Sequence, residues 1–245
     1  MASKITKPEE LAQRLANSLA GNLKCIALYG SAAAGDFLPG VSNFNVLVVA
    51  DRLDVAALNT ASPVIKEWSQ LGHPTPLFFT TQQLANSTDA FPLELLDIQQ
   101  SRRILWGDDL LAGLKIDSAH LRRQIERELS GKLLKLRARY LTAKHDHEAA
   151  SDLMLHSLST FLVLFRATLR LYQPVVPDVK LDALHALAKH ISFETRPFEQ
   201  LFALKQQTGE SRSNLPDANF AAYLAAIERV TAAVNDYNQP NEKKS

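Results

Sequence analysis

The apolar positions along the chain follow two different patterns, and the change between them falls near residue 115. Before this point, short continuous apolar runs alternate with helical stretches, and such runs are typical of buried strands. The four predicted strands span residues 23–30, 43–50, 75–80 and 102–107. After it, apolar residues recur every three or four positions, which is the period of one helix face. We therefore predict two domains, over residues 1–115 and 116–240.

The helices of the first part are predicted from their start and stop signals. One helix begins at Pro8, a residue suited to the first helical turn, and runs to about residue 20. Another covers 54–71 and is expected to break and restart at Ser62–Pro63. The 12 residues of 31–42 include two glycines and a proline, so they predict a turn rather than a long helix.

The second part has the pattern of a helical bundle. Its first helix has one apolar face, made of Leu121, Ile125, Leu129, Leu133, Leu136 and Tyr140. A second long helix is predicted over about 148–172, and Pro174 and Pro177 follow it. Shorter helices are predicted near 179–191, 196–208 and 217–237. Helices with single apolar faces pack against one another, so an all-α bundle is expected here.

Composition sets limits on location and partners. The chain has 245 residues, of which 46% are hydrophobic and 22% charged, as in ordinary globular proteins. A formal net charge of +1 gives no bulk attraction to nucleic acid or to anionic membranes, so neither is an expected partner. Cys25 is the only cysteine, which fits a reducing compartment, and no apolar run is expected to span a membrane. These features predict a soluble, cytoplasmic protein.

Candidate chemistry begins at the end of the first strand, where Gly30 and Ser31 follow an apolar run. A glycine there lets backbone amides approach a phosphate, and a serine hydroxyl can donate to the same group. A tight turn from a strand into a helix requires the same glycine. The pair alone therefore leaves phosphate binding and a structural turn both open.

The wider arrangement is more specific. After the Gly-Ser pair comes a loop of small residues with Pro39 and Ser42, and then "SNFN" leads into the next apolar strand. This arrangement resembles the nucleotidyltransferase superfamily, which includes the kanamycin nucleotidyltransferases and the polymerase β-like enzymes. Members of that superfamily carry Gly-Ser, a loop of similar length, and Asp-x-Asp at the start of the next strand. Here Asn43 and Asn45 occupy the positions of the two aspartates.

The resemblance extends beyond this motif and implies a fold. The order of elements over about residues 10–110, the segment 91–111 and the helical second half are similar to a catalytic domain with a helical substrate-binding domain. The resemblance therefore implies an α+β architecture, in which a small mixed-sheet nucleotidyltransferase domain is followed by an all-α helical bundle. The chain most resembles a bacterial branch of the superfamily in which the Asp-x-Asp motif is lost.

The same resemblance implies that metal-dependent catalysis is lost. In intact members the two aspartates, with a third carboxylate on a later strand, hold magnesium ions that bind the triphosphate. Asn43 and Asn45 offer only neutral carbonyl oxygens, and residues 68–88 contain no Asp or Glu. Ala34 stands where relatives often carry arginine. We therefore expect no catalytic residues, no metal site and no cofactor, with magnesium required only in an active enzyme.

The size of the loss supports this expectation. One preorganised electrostatic contact supplies about 3–4 kcal/mol of transition-state stabilisation, so two lost carboxylates remove ~6–8 kcal/mol. That change corresponds to roughly four to six decades of rate. An ordinary nucleotidyltransferase would not remain active after this loss unless other ligands replaced the aspartates.

A strongly basic helix supplies the last candidates. Residues 121–144 carry eight lysines and arginines against two glutamates. Such residues most often form a solvated helix face, but some of them could turn toward a cleft and bind phosphate. Arg123 and Arg127 are the first choices, because they lie near the predicted domain junction. The full predicted nucleotide- or phosphate-binding set is Gly30, Ser31, Asn43, Asn45, Arg123 and Arg127.

Three functions remain open from the sequence. The favoured one is a nucleotidyltransferase-like protein without catalysis, which keeps a nucleotide-accepting cleft between the two domains or a regulatory binding role. The second is an active enzyme that transfers a nucleoside monophosphate from a triphosphate to a small molecule or a protein. The third is an interaction module whose helical domain docks a protein partner. The expected ligand is accordingly a nucleotide or another anionic small molecule.

Overall fold

Two structural units follow one another along the chain. The structure of the protein, a computed structural model, describes residues 5–34, 43–143, 146–206 and 217–237. One unit ends at Asp117 and the other begins at Ser118. The strands belong to the first unit, and the regular elements of the second unit's described residues are all α-helices. The predicted α+β fold, with a small mixed sheet followed by helices, is confirmed.

The first unit alternates strands and helices. Its strands are β1 (Leu23–Tyr29), β2 (Asn45–Ala50), β3 (Leu77–Thr80) and β4 (Arg102–Gly107). Its helices are α1 (Pro8–Leu19), α2 (Ser31–Ala34), α3 (Val55–Gln70), α4 (Thr81–Asn86) and α5 (Pro92–Gln100). All four predicted strands and the opening helix are confirmed to within two residues. The predicted turn begins with the short helix α2, and its remaining part, 35–42, lies outside the described residues.

The sheet has the strand order β3-β2-β1-β4, so β1 is paired on both sides. β1 runs antiparallel to β2 and to β4, whereas β2 and β3 are parallel. In this register Tyr29 lies opposite Asn45 on one side and opposite Arg102 on the other. The last residue of β1 and the first residues of β2 and β4 therefore meet at one end of the sheet.

Helices cover both faces of the sheet. The strand residues that pack with α1 and α3 are Ile26, Leu28, Val46 and Val48. Those that pack with α4 and α5 are Cys25, Ala27, Leu47 and Val49. Side chains of a strand alternate between its two faces, so burial on both faces explains why these strands read as continuous apolar runs.

Helix α3 corrects one prediction. It is continuous with Pro63 inside it, so the expected break and restart at Ser62–Pro63 is wrong. The Asp54 side chain caps its first turn, accepting from the Ala57 N–H at 2.9 Å. Its buried residues are Ala61, Val64 and Trp68. Pro63 is exposed, so water can bond the carbonyl that lacks an amide partner while the packed face keeps the helix continuous.

The second unit is a bundle around one central helix. Its helices are α6 (Ser118–Ala143), α7 (His147–Leu169), α8 (Lys180–His190), α9 (Arg196–Gln206) and α10 (Asp217–Asn235). Helix α7 packs against each of the other four. Its Phe161 ring lies 6.0 Å from Tyr223 of α10, and its Phe165 ring lies 5.2 Å from Phe198 of α9. The predicted helices are confirmed, except that 207–208 lies outside the described residues.

Helix α7 also corrects an expectation about length. Among the described residues, the 22-residue stretch Glu148–Leu169 is long and apolar enough to cross a membrane by length and composition, with a mean hydropathy of 1.2 in its most apolar 18-residue window. The expectation that no apolar run reaches this length is therefore wrong. In the bundle, 56% of the most apolar window of α7 is buried. A surface helix buries only one face, whereas α7 is covered by helices on several sides.

Candidate functional site

The turn after β1 is built around Gly30. Its φ is +77°, in the left-handed region that favours glycine. Its N–H donates to the Ser101 carbonyl at 3.0 Å, and its own carbonyl accepts from the Ala33 N–H at 2.9 Å. The turn therefore leads from β1 into α2 while bonding to the residue that precedes β4. Gly30 supplies the shape of the turn, and its own amide is already engaged within the unit.

Asn45 reaches this turn from the neighbouring strand. A Cβ atom added to Gly30 would lie 3.2 Å from Nδ2 of Asn45. Asn45 is partly exposed, and Asn43, two residues earlier, is exposed, so neither is buried within the sheet. The structure thus brings Gly30 and Asn45 together at one end of the sheet.

Phe44 explains the direction of the Asn45 side chain. Its ring lies 4.9 Å from the ring of His73 and 6.1 Å from that of Trp68, on the face covered by α1 and α3. Burial lowers the pKa of His73, so this ring packs in its neutral form. Because successive residues of a strand point to opposite faces, Phe44 on one face directs Asn45 to the other. Asn45 therefore shares the face of Leu47.

Three residues of the sequence motif fall partly or wholly outside the described residues. Ser31 is the first residue of α2, and its side chain is not among the described atoms. Pro39 and Ser42 fall within 35–42, outside the described residues. These two residues match the loop of the nucleotidyltransferase superfamily in the sequence resemblance. The phosphate-binding role of Ser31 stays a prediction.

Arg102 lies at the same end of the sheet, and sequence reasoning missed it. It stands opposite Tyr29 at the start of β4. Its Nε and Nη2 donate to the Asp109 carboxylate at 3.0 Å and 2.7 Å, and its Nη1 donates to the Gln99 carbonyl. The hydrogen bonds from Arg102 hold the pKa of Asp109 below its usual range. The available signal was "RRILWGDDL", in which a strand begins with arginine and aspartates follow its closing glycine.

Tyr29 stands between Arg102 and Asn45. Its ring is partly buried against the cluster that contains Ala27 and Leu47. Burial raises the pKa of its phenol, which keeps the hydroxyl protonated and able to donate. No group among the described residues hydrogen-bonds this hydroxyl. We call Arg102, Tyr29 and Asn45 the cross-strand row.

The side chains at this end of the sheet do not fit the magnesium ions that the fold family implies. Within the described ranges, no three His, Cys, Asp or Glu side chains are grouped to hold a metal ion. The positions that the sequence resemblance assigns to the family's aspartates carry amides, and β3 carries the sequence LFFT, without a carboxylate. Magnesium prefers carboxylates and substrate phosphates in octahedral geometry. No reaction step through a metal follows from these side chains.

The predicted phosphate-binding arginines, Arg123 and Arg127, lie on α6 in the second unit, and both are exposed. Neither has a hydrogen-bond or ion-pair partner among the described residues. Arg122, by contrast, bonds Glu126 at 2.7 Å. The placement of Arg123 and Arg127 in a cleft with Gly30 stays a prediction.

Comparison with known proteins identifies the fold. One solved structure that shares it is spectinomycin adenyltransferase AAD(9) from Enterococcus faecialis, with ATP and spectinomycin. The TM-score is 0.53 at 15% sequence identity, over 90% of this chain and 96% of that one. No protein-family model and no curated protein matches the sequence. The nucleotidyltransferase fold implied by the sequence resemblance is confirmed.

Proposed function

We propose that this protein binds a nucleotide at the end of its sheet without magnesium, and that it carries out no metal-dependent nucleotidyl transfer. The observation that carries the proposal is the Asn45 amide, which lies beside Gly30 in a nucleotidyltransferase fold. By the sequence resemblance, this amide stands where that superfamily uses a metal-binding carboxylate. The proposed site would hold a nucleotide through hydrogen bonds and would lack the charge for a metal ion.

Amides change what such a site can hold. An ionised carboxylate only accepts hydrogen bonds, whereas an asparagine side chain has an acceptor oxygen and two N–H donors. Asn43 and Asn45 can therefore donate directly to phosphate oxygens, which two aspartates would repel in the absence of metal. Ser31, at the start of α2, would add a hydroxyl donor for the same phosphate.

The test is calorimetric titration of the full chain with nucleosides, nucleoside monophosphates and triphosphates, in chelator and in magnesium. We expect a nucleotide of this panel to bind with an affinity that does not depend on magnesium. Asn45→Ala should weaken binding about tenfold or more, because a hydrogen bond to a charged group contributes about 1.5–3 kcal/mol. Asn59→Ala is the matched control, since Asn59 is exposed on α3, and it should bind like the wild type.

Three outcomes would contradict this proposal. Strict dependence on magnesium would favour an active enzyme instead. Absence of binding across the whole panel would favour the role in which the helical unit docks a protein partner. Equal losses in Asn45→Ala and Asn59→Ala would mean that the start of β2 is not the binding site.

A second candidate is supported by the fold shared with spectinomycin adenyltransferase, whose structure contains ATP and spectinomycin. In this case the protein would transfer a nucleoside monophosphate to a small molecule, using ligands other than two aspartates. We expect incubation with each triphosphate, magnesium and an aminocyclitol acceptor to give no transfer above background. Magnesium-dependent release of pyrophosphate that disappears in Ser31→Ala would establish the second candidate in place of the first.

A further inference from the structure

The geometry of the cross-strand row shows which groups a ligand would meet. Arg102, Tyr29 and Asn45 are directly opposite one another on three neighbouring strands. Cβ atoms of directly opposite residues are about 4.5–5.5 Å apart, so the Tyr29 and Asn45 side chains start from adjacent positions on one face of the sheet. That hydroxyl has no hydrogen-bond partner among the described residues. Within the described ranges, its hydrogen is therefore not used by another protein group, and we expect it to donate to a bound molecule.

The cation of this row is already neutralised. Arg102 uses Nε and Nη2 on the Asp109 carboxylate and Nη1 on the Gln99 carbonyl, and its side chain is only 19% exposed. Asp109 is itself held by the N–H groups of Leu111 and Ala112, at 3.1 Å and 3.2 Å. A guanidinium group fixed in this way adds no net positive charge to the row.

The sequence from β1 to β2 contributes no other cation to this end of the sheet. Between Lys24 and Arg52, a span that contains β1, the following loop and β2, the sequence has no Lys, Arg or His. Lys24 lies at the opposite end of the sheet and is paired with Asp51 at 2.9 Å. The row is therefore a set of hydrogen-bonding groups with almost no net charge.

Ligands with one phosphate and with three differ in the negative charge that such a surface would have to neutralise. A phosphomonoester carries about two negative charges at neutral pH, and a triphosphate carries more. Charges that lose hydration without meeting a counter-charge bind unfavourably. The described groups of the row supply no net positive charge to match either ligand. The unfavourable contribution is therefore smallest for a ligand with no phosphate or one, and it grows with each further phosphate.

On the basis of the nucleotide-binding role proposed above, we propose that the ligand of this site carries at most one phosphate group. It is a nucleoside or a nucleoside monophosphate, contacted by the Tyr29 hydroxyl and the Asn45 amide. Enzymes of this fold that use metal select a triphosphate, because the metal ions neutralise its charge. Replacement of the metal-binding carboxylates therefore changes which ligand fits, as well as the reaction.

The test is a titration series with the full chain in chelator, at low and at physiological salt. The probes are the nucleoside, monophosphate and triphosphate of each of the four common bases. For the preferred base, we expect the monophosphate to bind at least about tenfold more tightly than the triphosphate, and nucleoside binding to change little with salt. Tyr29→Phe should weaken nucleoside and monophosphate binding by about three- to tenfold, the range of one hydrogen bond.

A variant that frees Arg102 from its ion pair with Asp109 should bind a triphosphate more tightly, and a matched control variant exists. Asp109→Asn keeps an acceptor oxygen for the Leu111 and Ala112 N–H groups and removes the charge that neutralises the guanidinium. In this variant, we expect triphosphate affinity to rise about tenfold while nucleoside affinity stays unchanged. Asp51→Asn removes an equal charge at the other end of the sheet, so it should alter neither affinity.

The outcomes separate this inference from the proposed function. A triphosphate that binds more tightly than its monophosphate in chelator would overturn the inference and leave nucleotide binding in place. An equal rise in triphosphate affinity in Asp109→Asn and Asp51→Asn would also overturn it, because the gain would then come from the net charge of the chain. Absence of binding by every probe would overturn the proposed function itself.

Discussion

Gly30 and Gly107 both have left-handed backbone angles, with φ of +77° and +75°. A residue with a Cβ atom loses roughly 1–2 kcal/mol in this conformation. At Gly107 the added Cβ would also lie 2.0 Å from the carbonyl oxygen of Lys24, whereas at Gly30 the nearest atom is Nδ2 of Asn45, at 3.2 Å. The Asn45 amide is the end of a side chain and can shift, but the Lys24 carbonyl belongs to the backbone of a central strand.

Alanine substitutions at these glycines should therefore have graded effects. Gly30→Ala should lower the free energy of unfolding by about 1–2 kcal/mol, and Gly107→Ala should lower it further. Gly21→Ala is the control, because nothing lies within 4 Å of its added Cβ. Denaturation in urea, followed by far-UV circular dichroism, measures all three. Equal effects at Gly21 and Gly30 would contradict the structural role of the turn.

Replacing both site asparagines by aspartate tests whether they occupy metal positions. Asn43→Asp together with Asn45→Asp should create a magnesium site, because two carboxylates then join the oxygens of a bound phosphate. Without metal the carboxylates repel each other, so the variant should melt at a lower temperature in chelator and recover in magnesium. Activity should stay low, because β3 supplies no third carboxylate to act as a base.

Thermal melts measure this difference in the wild type and the double variant, each in chelator and in magnesium with nucleotide. Asn59→Asp adds a carboxylate on α3 and serves as the control for a change in charge alone. If magnesium stabilises the wild type and the double variant equally, the two asparagines do not occupy metal positions.

At the scale of elements, two consecutive arginines tie β4 to its surroundings. Arg102 bonds Asp109 beyond the end of the strand, and Arg103 bonds Glu9 of α1 at 2.7 Å. Consecutive strand residues point to opposite faces, so one short strand holds segments on both sides of the sheet. Hydrogen bonds from these arginines hold the pKa values of Asp109 and Glu9 below their usual range.

This pairing predicts a dependence of stability on pH. A carboxyl group whose pKa is lowered by folding stabilises the fold above its ordinary pKa, and this contribution is lost as the pH falls through the lowered value. For Asp109 the loss should begin as the pH falls below the ordinary value of 3.8. Urea denaturation at a series of pH values should show a flatter acid limb for Asp109→Asn than for the wild type. An unchanged acid limb would mean that the ion pair does not stabilise the fold.

Most elements could be predicted because their signals are local. Pro8 marks the start of α1, and the apolar runs mark the strands, independently of what packs on them. Pro63 was misleading because burial of Val64 and Trp68 holds α3 together across the proline, and burial is a property of the whole unit. A proline within a predicted helix is thus weaker evidence for a helix break than the apolar face of that helix is for its continuity.

The candidate site was only partly visible in the sequence. Gly30 and Asn45 belong to one motif, so their spacing along the chain already indicated that both lie at strand ends. Arg102 is remote in sequence, and only the pairing of β1 with β4 brings it beside Tyr29. The engaged amide of Gly30 likewise depends on Ser101, a partner that no local pattern identifies.

At the scale of the whole molecule, the two units can be followed by different signals. Both tryptophans of the chain, Trp68 and Trp106, lie in the first unit. Phe198 is fully buried in the second unit, where its ring lies 4.7 Å from that of Tyr223. Tryptophan fluorescence therefore reports on the first unit, whereas far-UV circular dichroism reports on the helices of both.

Phe198→Ala should therefore affect the two signals differently. Truncation of a buried phenylalanine costs about 3–5 kcal/mol, so the second unit should unfold at lower denaturant. The circular dichroism transition should broaden or split while the fluorescence transition stays in place, because domains with separate cores can unfold separately. Leu15→Ala, in the core of the first unit, is the matched control and should move the fluorescence transition. Coincident shifts of both signals in both variants would mean that the units unfold together.

Cys25 provides a chemical probe of how often the sheet opens. It is the single thiol of the chain and is 0% exposed on β1, the strand that is paired on both sides. Burial raises the pKa of this thiol, so a thiol reagent meets a reactive thiolate only when β1 has left the sheet. Mass spectrometry of the labelled chain would then count openings that are too rare to alter any average signal. A nucleotide that slows the labelling must bind the closed sheet, so one sulfur atom can detect the ligand before its identity is known.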